Sequence, residues 1–185
     1  FDKFMDIDYN PDIRDGVLFV GGFSHPPNAD ALKYFLDNMW DDIYAQIKAP
    51  FYIVGSNATD EIKAMHNEAK GIIFKGFVSE EELKELYEKV RLVVVPLRYG
   101  AGVKGKVIEA LYYGDPVITT SVGAEGIDNS YNQMLVADEP SEFVKKCVAL
   151  YTDKQALKNM HLEAIEYVKN KHGIDAVWKI IREDF

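Results

Sequence analysis

The chain has 185 residues, of which 48% are hydrophobic and 28% charged, enough apolar material for one well-packed domain. A net charge of −9 argues against sequence-independent binding to nucleic acid, which needs a basic footprint. The single cysteine, Cys147, excludes an internal disulfide and a cysteine metal cluster, and no apolar run approaches the roughly 20 residues of a spanning helix.

Residues 1–16 are polar with scattered aromatics and a Pro11-Asp12 turn signal, and read as a linker or entry segment. Val17-Leu-Phe-Val20 is a short apolar run ending in Gly21-Gly22, the pattern of a buried parallel strand. After the loop Phe23–Asn28, with Asn28 as a candidate cap, Leu32, Phe35, Leu36, Met39, Trp40, Ile43 and Ile47 recur at the spacing of one helix. Phe51–Gly55 is the second strand, and a short helix with Ile62, Met65 and His66 begins at Thr59. Ile72–Phe74 is the third strand, followed by Gly76-Phe77-Val78. Ser79-Glu-Glu-Glu82 is a capping box opening a helix with Leu83, Leu86, Tyr87 and Val90.

Leu92–Val95 is the fourth strand, and a glycine-rich turn and a further helix follow it. Gly114-Asp115-Pro116 ends that helix, Val117–Thr120 is a fifth strand, Gly123–Gly126 a tight loop and Met134–Val136 a short sixth strand. Three helical patterns close the chain at about 141–151, 153–171 and 174–183. Strands alternating with helices across short Gly/Pro loops predict an α/β domain with a doubly wound, Rossmann-like parallel sheet. Ligands bind such sheets outside the carboxyl ends of the strands.

The stretch Arg98-Tyr-Gly-Ala-Gly-Val-Lys104-Gly-Lys106-Val-Ile-Glu109 lies at one of those ends. A strand, a glycine-rich turn and a helix N-terminus together make an anion cradle, where backbone N–H groups and about half a positive charge from the helix dipole face the ligand. Arg98, Lys104 and Lys106 add fixed cations, which points to a phosphate-bearing ligand. Of the three, Lys104 is the one with an alternative course out to solvent. The spacing Gly100-x-x-x-x-Gly105-Lys106 matches a phosphate loop, but the next residue is Val107, which cannot ligate magnesium. The dinucleotide fingerprint G-x-G-x-x-G is absent after the first strand, which argues against a nicotinamide enzyme.

Glu109 has two readings on spacing alone. It is a solvated carboxylate paired locally with Lys106, or it faces the cleft, where a carboxylate suits two vicinal hydroxyls because it accepts hydrogen bonds and donates none. Glu125, beyond the fifth strand, is a turn carboxylate or a sugar ligand beside the cradle. His25, His66, His161 and His172 have no metal-ligand spacing; His66, His161 and His172 read as surface residues, and only His25 lies near a strand end that could meet a ligand. Cys147 falls on an apolar helical stripe with Phe143, Val144 and Leu150 and reads as a buried, inert thiol.

From Val17 onward the chain resembles the carboxyl-terminal, nucleotide-sugar-binding domain of GT-B glycosyltransferases of family 4 type. The resemblance rests on Pro96-Leu-Arg98, Gly-Ala-Gly-Val-Lys-Gly-Lys106-Val-Ile-Glu109-Ala-Leu, Gly114-Asp-Pro-Val-Ile-Thr-Thr120 and Gly123-Ala-Glu-Gly126. It implies a hexosyltransferase that moves a sugar from a UDP- or GDP-linked donor to a glycan or lipid-linked acceptor, with retention and without a metal or cofactor. It implies that Glu109 binds the ribose hydroxyls and that Gly102, Val103, Lys104 and Gly105 contact diphosphate and sugar. It further implies that backbone at Phe77 and Val78 meets the base. The first glutamate of the family's paired motif falls at Ala101, and Gly22-Phe23 replaces the basic residue that usually follows the first strand. Diphosphate charge then rests on Arg98, Lys104 and Lys106, and a degenerate binding module of the same fold is the alternative reading. The expected division is an entry segment at 1–16, a donor domain at 17–173 and a crossover helix at 174–185. The chain begins with Phe1 and is expected to be a fragment whose amino-terminal acceptor domain is missing, so that alone it turns over nothing. The expected setting is cytoplasmic and bacterial, in polysaccharide assembly, with any contact to the inner face of the membrane made through the missing domain.

Overall fold

The computed structural model describes residues 9–171. Six parallel strands form one sheet: β1 (Val17–Val20), β2 (Phe51–Val54), β3 (Ile72–Gly76), β4 (Leu92–Val95), β5 (Val117–Thr119) and β6 (Met134–Val136). Their spatial order is β3-β2-β1-β4-β5-β6. Val17 pairs with Phe51 on one side and Leu92 on the other, and Val117 pairs with Val93 and Met134. β1, β2 and β4 are buried throughout, as continuous Val/Ile/Leu/Phe runs covered on both faces should be.

The helices are α1 (Pro26–Phe35), α2 (Asp41–Ile47), α3 (Asp60–Lys63), α4 (Glu80–Lys89), α5 (Gly105–Tyr112), α6 (Pro140–Thr152) and α7 (Lys154–Lys171). The winding direction reverses after β3, so right-handed crossovers put α1–α3 on one face and α4 and α5 on the other. α6 packs on α2, and α7 packs on α5 and α6. The aromatic centre of the core lies where α1, β2 and α6 meet. Phe35 is 5.1 Å from Phe51 and 5.9 Å from Phe143 between ring centroids, and Trp40 is 4.9 Å from Phe51. The buried Trp40 Nε1 donates to Lys70 O at 2.9 Å, so its polar edge is satisfied.

Several expectations need correction. α1 starts at Pro26, not after Asn28, and its first two positions are prolines, whose missing N–H costs nothing there. The single helix expected through Ile47 carries a π-helical turn at Leu36–Trp40, which no spacing announced because the apolar residues keep their three- and four-residue steps through it. β5 ends at Thr119; Thr120 turns its hydroxyl onto Leu97 O instead of extending the strand. The helix begun at Thr59 stops at Lys63, before His66. The described part of the entry segment packs against the domain. Arg14 is buried, donates from Nη1 to Tyr87 O and Val90 O at 2.7 and 3.2 Å, and pairs with buried Asp115 at 2.8 Å. Tyr9 is also buried, with its hydroxyl donated to Arg91 O. The helix expected at 174–183, His172 and residues 1–8 lie outside the described residues.

Candidate donor site

The strand order places the switch point between β1 and β4, where chains leaving the two strands diverge and open a crevice. Gly21-Gly22 leaves β1 on one side, and the loop 98–104 leaves β4 on the other. The neighbouring strand ends are knitted together: Gly21 N–H donates to Val54 O at 3.0 Å and Gly55 N–H to Gly76 O at 2.9 Å. A Cβ at Gly55 would lie 1.9 Å from Gly21 O, so only glycine allows this approach.

The loop takes its course from Gly100 and Gly102, at φ 123° and 83°, a region that other residues enter only with strain. Nothing lies within 4 Å of a Cβ built on Gly102, so the demand there is conformational rather than spatial. Thr119 Oγ1 donates to Val95 O at 2.9 Å, and Thr120 Oγ1 donates to Leu97 O and accepts from Gly123 N–H at 3.1 Å. These bonds fix the end of β4 against the turn at Gly123–Gly126.

Lys104 is the residue before α5. Its ammonium is not turned to solvent; it folds back under the loop, onto Gly100 O at 3.3 Å and Gly102 O, and meets Glu125 Oε2 at 3.3 Å. Glu125 is half exposed, so one ion pair ties the glycine loop to the next strand end. Val103 is exposed above it and lies against Gly126, where a Cβ would come within 2.8 Å.

Lys106 is buried in the first turn of α5 and donates to Asn28 Oδ1. Asn28 Nδ2 in turn donates to Gly22 O at 2.8 Å. Asn28 is therefore not a helix cap but a bridge from the end of β1 to the start of α5. Glu109, one turn further, is 6% exposed, which overturns the solvated-face reading. Its Oε2 accepts a hydrogen bond from Tyr87 Oη at 3.2 Å. Burial, with the charge of Glu109 second, pushes the Tyr87 phenol well above its usual range, so it remains a donor. The same two causes push Tyr113 up to about 12.

Other predicted residues are less centred. Arg98 is bound bidentately by Asp30, with its guanidinium 4.5 Å above the Tyr34 ring, so its charge is engaged by α1. Phe77 is 80% exposed beyond β3, with Val78 half-buried beside it. Gly22 is half-buried and Gly105 buried. Phe23, standing where a cation was missed, packs inward 6.3 Å from Phe19 and 6.4 Å from Phe74. Ala101 is exposed. His25 is exposed at the start of α1; His161, expected on the surface, is buried, with Nδ1 2.7 Å from Gly114 O and its ring stacked on Tyr9. Sequence reasoning missed Asn28 and Tyr87 as the partners of Lys106 and Glu109. Tyr87 lay on an apolar helical stripe, where its hydroxyl was the only available signal.

A family model described as glycosyl transferases group 1 matches residues 14–153. The chain belongs to this family. The glycosyl transferases group 1 match takes in every predicted site residue. Over 172 residues the chain is 24% identical to an uncharacterized 44.6 kDa protein in the cps region of Klebsiella pneumoniae, covering 89% of this chain and 44% of that protein. It thus spans less than half the length of that curated relative. Among solved structures it resembles a TarM mutant of S. aureus in complex with Fondaparinux, alpha-GlcNAc-glycerol and UDP, with TM-score 0.71, 18% identity and coverage of 97% of this chain and 38% of that one. It also resembles the C-terminal domain of a glycosyl transferase group 1 family protein, LpcC, from Francisella tularensis, with TM-score 0.65, 18% identity and coverage of 88% and 89%. At such identities these structures establish the fold, a Rossmann-like half of the GT-B architecture. Among the described residues no group of three or more His, Cys, Asp or Glu is placed to hold a metal, and no helix is long and apolar enough to cross a membrane.

Proposed function

We propose that this chain is the carboxyl-terminal, donor-binding half of a glycosyltransferase that moves a sugar from a nucleoside diphosphate to a glycan or lipid-linked acceptor, with retention and without a metal. The observation that carries the reading is the burial of Lys106 and Glu109 in the first turns of α5, directly behind the glycine loop at the switch point. Ionisable groups are costly to bury, and a cleft that holds both signs suits a ligand with an anionic and a hydroxylic part. In this reading Glu109 accepts from the ribose hydroxyls. Lys106, the loop Gly102–Gly105 and the N-terminus of α5 stabilise the leaving diphosphate electrostatically. Arg98, its charge taken up by Asp30, holds α1 against the loop, while Lys104 keeps the loop in shape. Gly22 lets the donor approach the end of β1, backbone at Phe77 and Val78 meets the base, and Glu125 meets the sugar. Residues 1–16 connect to an amino-terminal acceptor domain, about 150–200 residues by ordinary domain size. The domain-sized relative from Francisella, itself a C-terminal domain, supports that order.

Isothermal titration of the 185-residue chain with UDP, GDP and their sugars is the direct test. One of the two nucleotides should bind, and Glu109→Ala or Lys106→Ala should each weaken it at least tenfold, about 1.4 kcal/mol. No binding, or affinity indifferent to both substitutions, sinks the site assignment. Ala101 favours a second reading, a degenerate module that binds nucleotide without transfer, since its exposed methyl group offers no acceptor where the family's first glutamate stands. Donor binding with no sugar transfer by the two-domain protein would select that reading.

A further inference from the structure

We infer that Tyr87 is a positioning residue for the donor site: it holds the Glu109 carboxylate in the one orientation that meets the two ribose hydroxyls of a nucleoside diphosphate. This rests on the donor-site reading above and adds a residue from a different helix to it.

Tyr87 lies on the apolar stripe of α4 with Leu83 and Leu86, just before Val90 beyond the helix, and is fully buried. A buried phenol that finds no partner is costly, and here its one hydroxyl is spent on the carboxylate of α5 at 3.2 Å rather than on backbone. A phenylalanine would fill the same stripe, so packing does not explain the hydroxyl.

The donor is itself fixed. The Tyr87 ring lies 4.6 Å from the Tyr113 ring, 13° from parallel. Tyr113 follows α5 one turn after Glu109, and its N–H donates to Glu109 O at 3.1 Å. At the other end, Arg14 Nη1 donates to Tyr87 O at 2.7 Å and to Val90 O, while pairing with Asp115 just beyond α5. Arg14 thus ties the last turn of α4 to the far end of α5. A glutamate has three side-chain torsions, and stopping them before the ligand arrives removes an ordering cost from binding. A carboxylate offers roughly four acceptor sites, so accepting the Tyr87 hydroxyl does not by itself exclude a diol.

The test compares UDP and 2′,3′-dideoxy-UDP by isothermal titration on the 185-residue chain, as Tyr87→Phe, Glu109→Gln and the double variant, with GDP and its dideoxy analogue in parallel. Tyr87→Phe keeps the ring, so its melting temperature should stay within a few degrees of the unsubstituted chain. It should weaken the nucleotide about fivefold yet leave the dideoxy analogue unchanged, and the double variant should bind no worse than Glu109→Gln alone. A purely structural role would weaken both ligands alike and add to Glu109→Gln; either result overturns the proposal. If Glu109→Gln weakens UDP or GDP and Tyr87→Phe does not, the positioning role fails while the donor site stands. If neither nucleotide binds, or Glu109→Gln changes nothing, the donor-site reading fails first and this inference with it.

Discussion

Asn28 joins two elements that are 78 positions apart from it and six positions apart from it. Its amide donates to Gly22 O, and its carbonyl accepts from Lys106. No other side-chain type of that size both donates and accepts through two ends, so aspartate would break the half that donates to Gly22 O and leucine would break both. Lys104, in a polar loop, was free to reach water, yet its ammonium satisfies loop carbonyls that the two positive-φ glycines turn inward. Cys147 is a control for the reading of buried groups. It is wholly buried on the apolar face of α6, and burial pushes its thiol up to about 12. It should be inert to Ellman's reagent at pH 8 in the folded chain and react once when urea unfolds it. Rapid reaction under native conditions would mean that α6 opens readily.

Among the elements, α4 has to be rigid if Tyr87 is to orient anything. Its start is a complete capping box: Glu82 N–H donates to Ser79 Oγ at 3.2 Å, and Ser79 N–H donates to Glu82 Oε2 at 2.8 Å. Ser79→Ala should cost about 1 kcal/mol, seen as a fall of roughly 2–4 °C in Tm for a domain of this size. The Ser79 backbone N–H, then its hydroxyl, hold the Glu82 carboxyl below its ordinary value. Its folded pKa is therefore lower than its unfolded one of about 4.3, so the contribution is complete above that pH and lost as pH falls through the folded value. Glu82→Gln should flatten that part of the acid limb in urea titrations; an unchanged limb would deny the box its role. The π-helical turn between α1 and α2 is the other element with a consequence. It brings both Met39 and Trp40 into the core, and Trp40 onto Phe51.

At the scale of the whole molecule, the site exists because the sheet reverses its winding between β1 and β4. Ends of three strands and the starts of two helices converge there, and a ligand that binds the folded chain alone must stabilise all of them together. UDP or GDP at a hundred times its Kd should raise the unfolding free energy by about 2.7 kcal/mol, and Glu109→Ala should remove about half of that gain or more in urea melts. A nucleotide that raises Tm equally in both proteins would be binding elsewhere. The same convergence explains how much was legible beforehand. Every strand was visible as a short apolar run, with glycine closing β1, β2 and β3, and the capping box of α4 was visible because its chemistry is local. The cradle was visible as a glycine loop between a strand and a helix. Glu109 was an even choice between solvent and cleft, since a helical wheel says which residues share a face but not what lies against it.

The sequence by itself determined the alternation of elements, the glycine turns, the presence of a cation-bearing loop after β4 and the absence of a magnesium-holding residue at Val107. Each of these depends on residues within one turn or one strand, so local chemistry settles them. Only the tertiary structure decided that Glu109 is buried, that Tyr87 on α4 donates to it, that Asn28 holds Lys106, and that Arg98 is taken up by Asp30. Those partners stand 22 to 78 positions apart along the chain. Their meeting is set by the order in which six strands pair, which no short window of sequence contains.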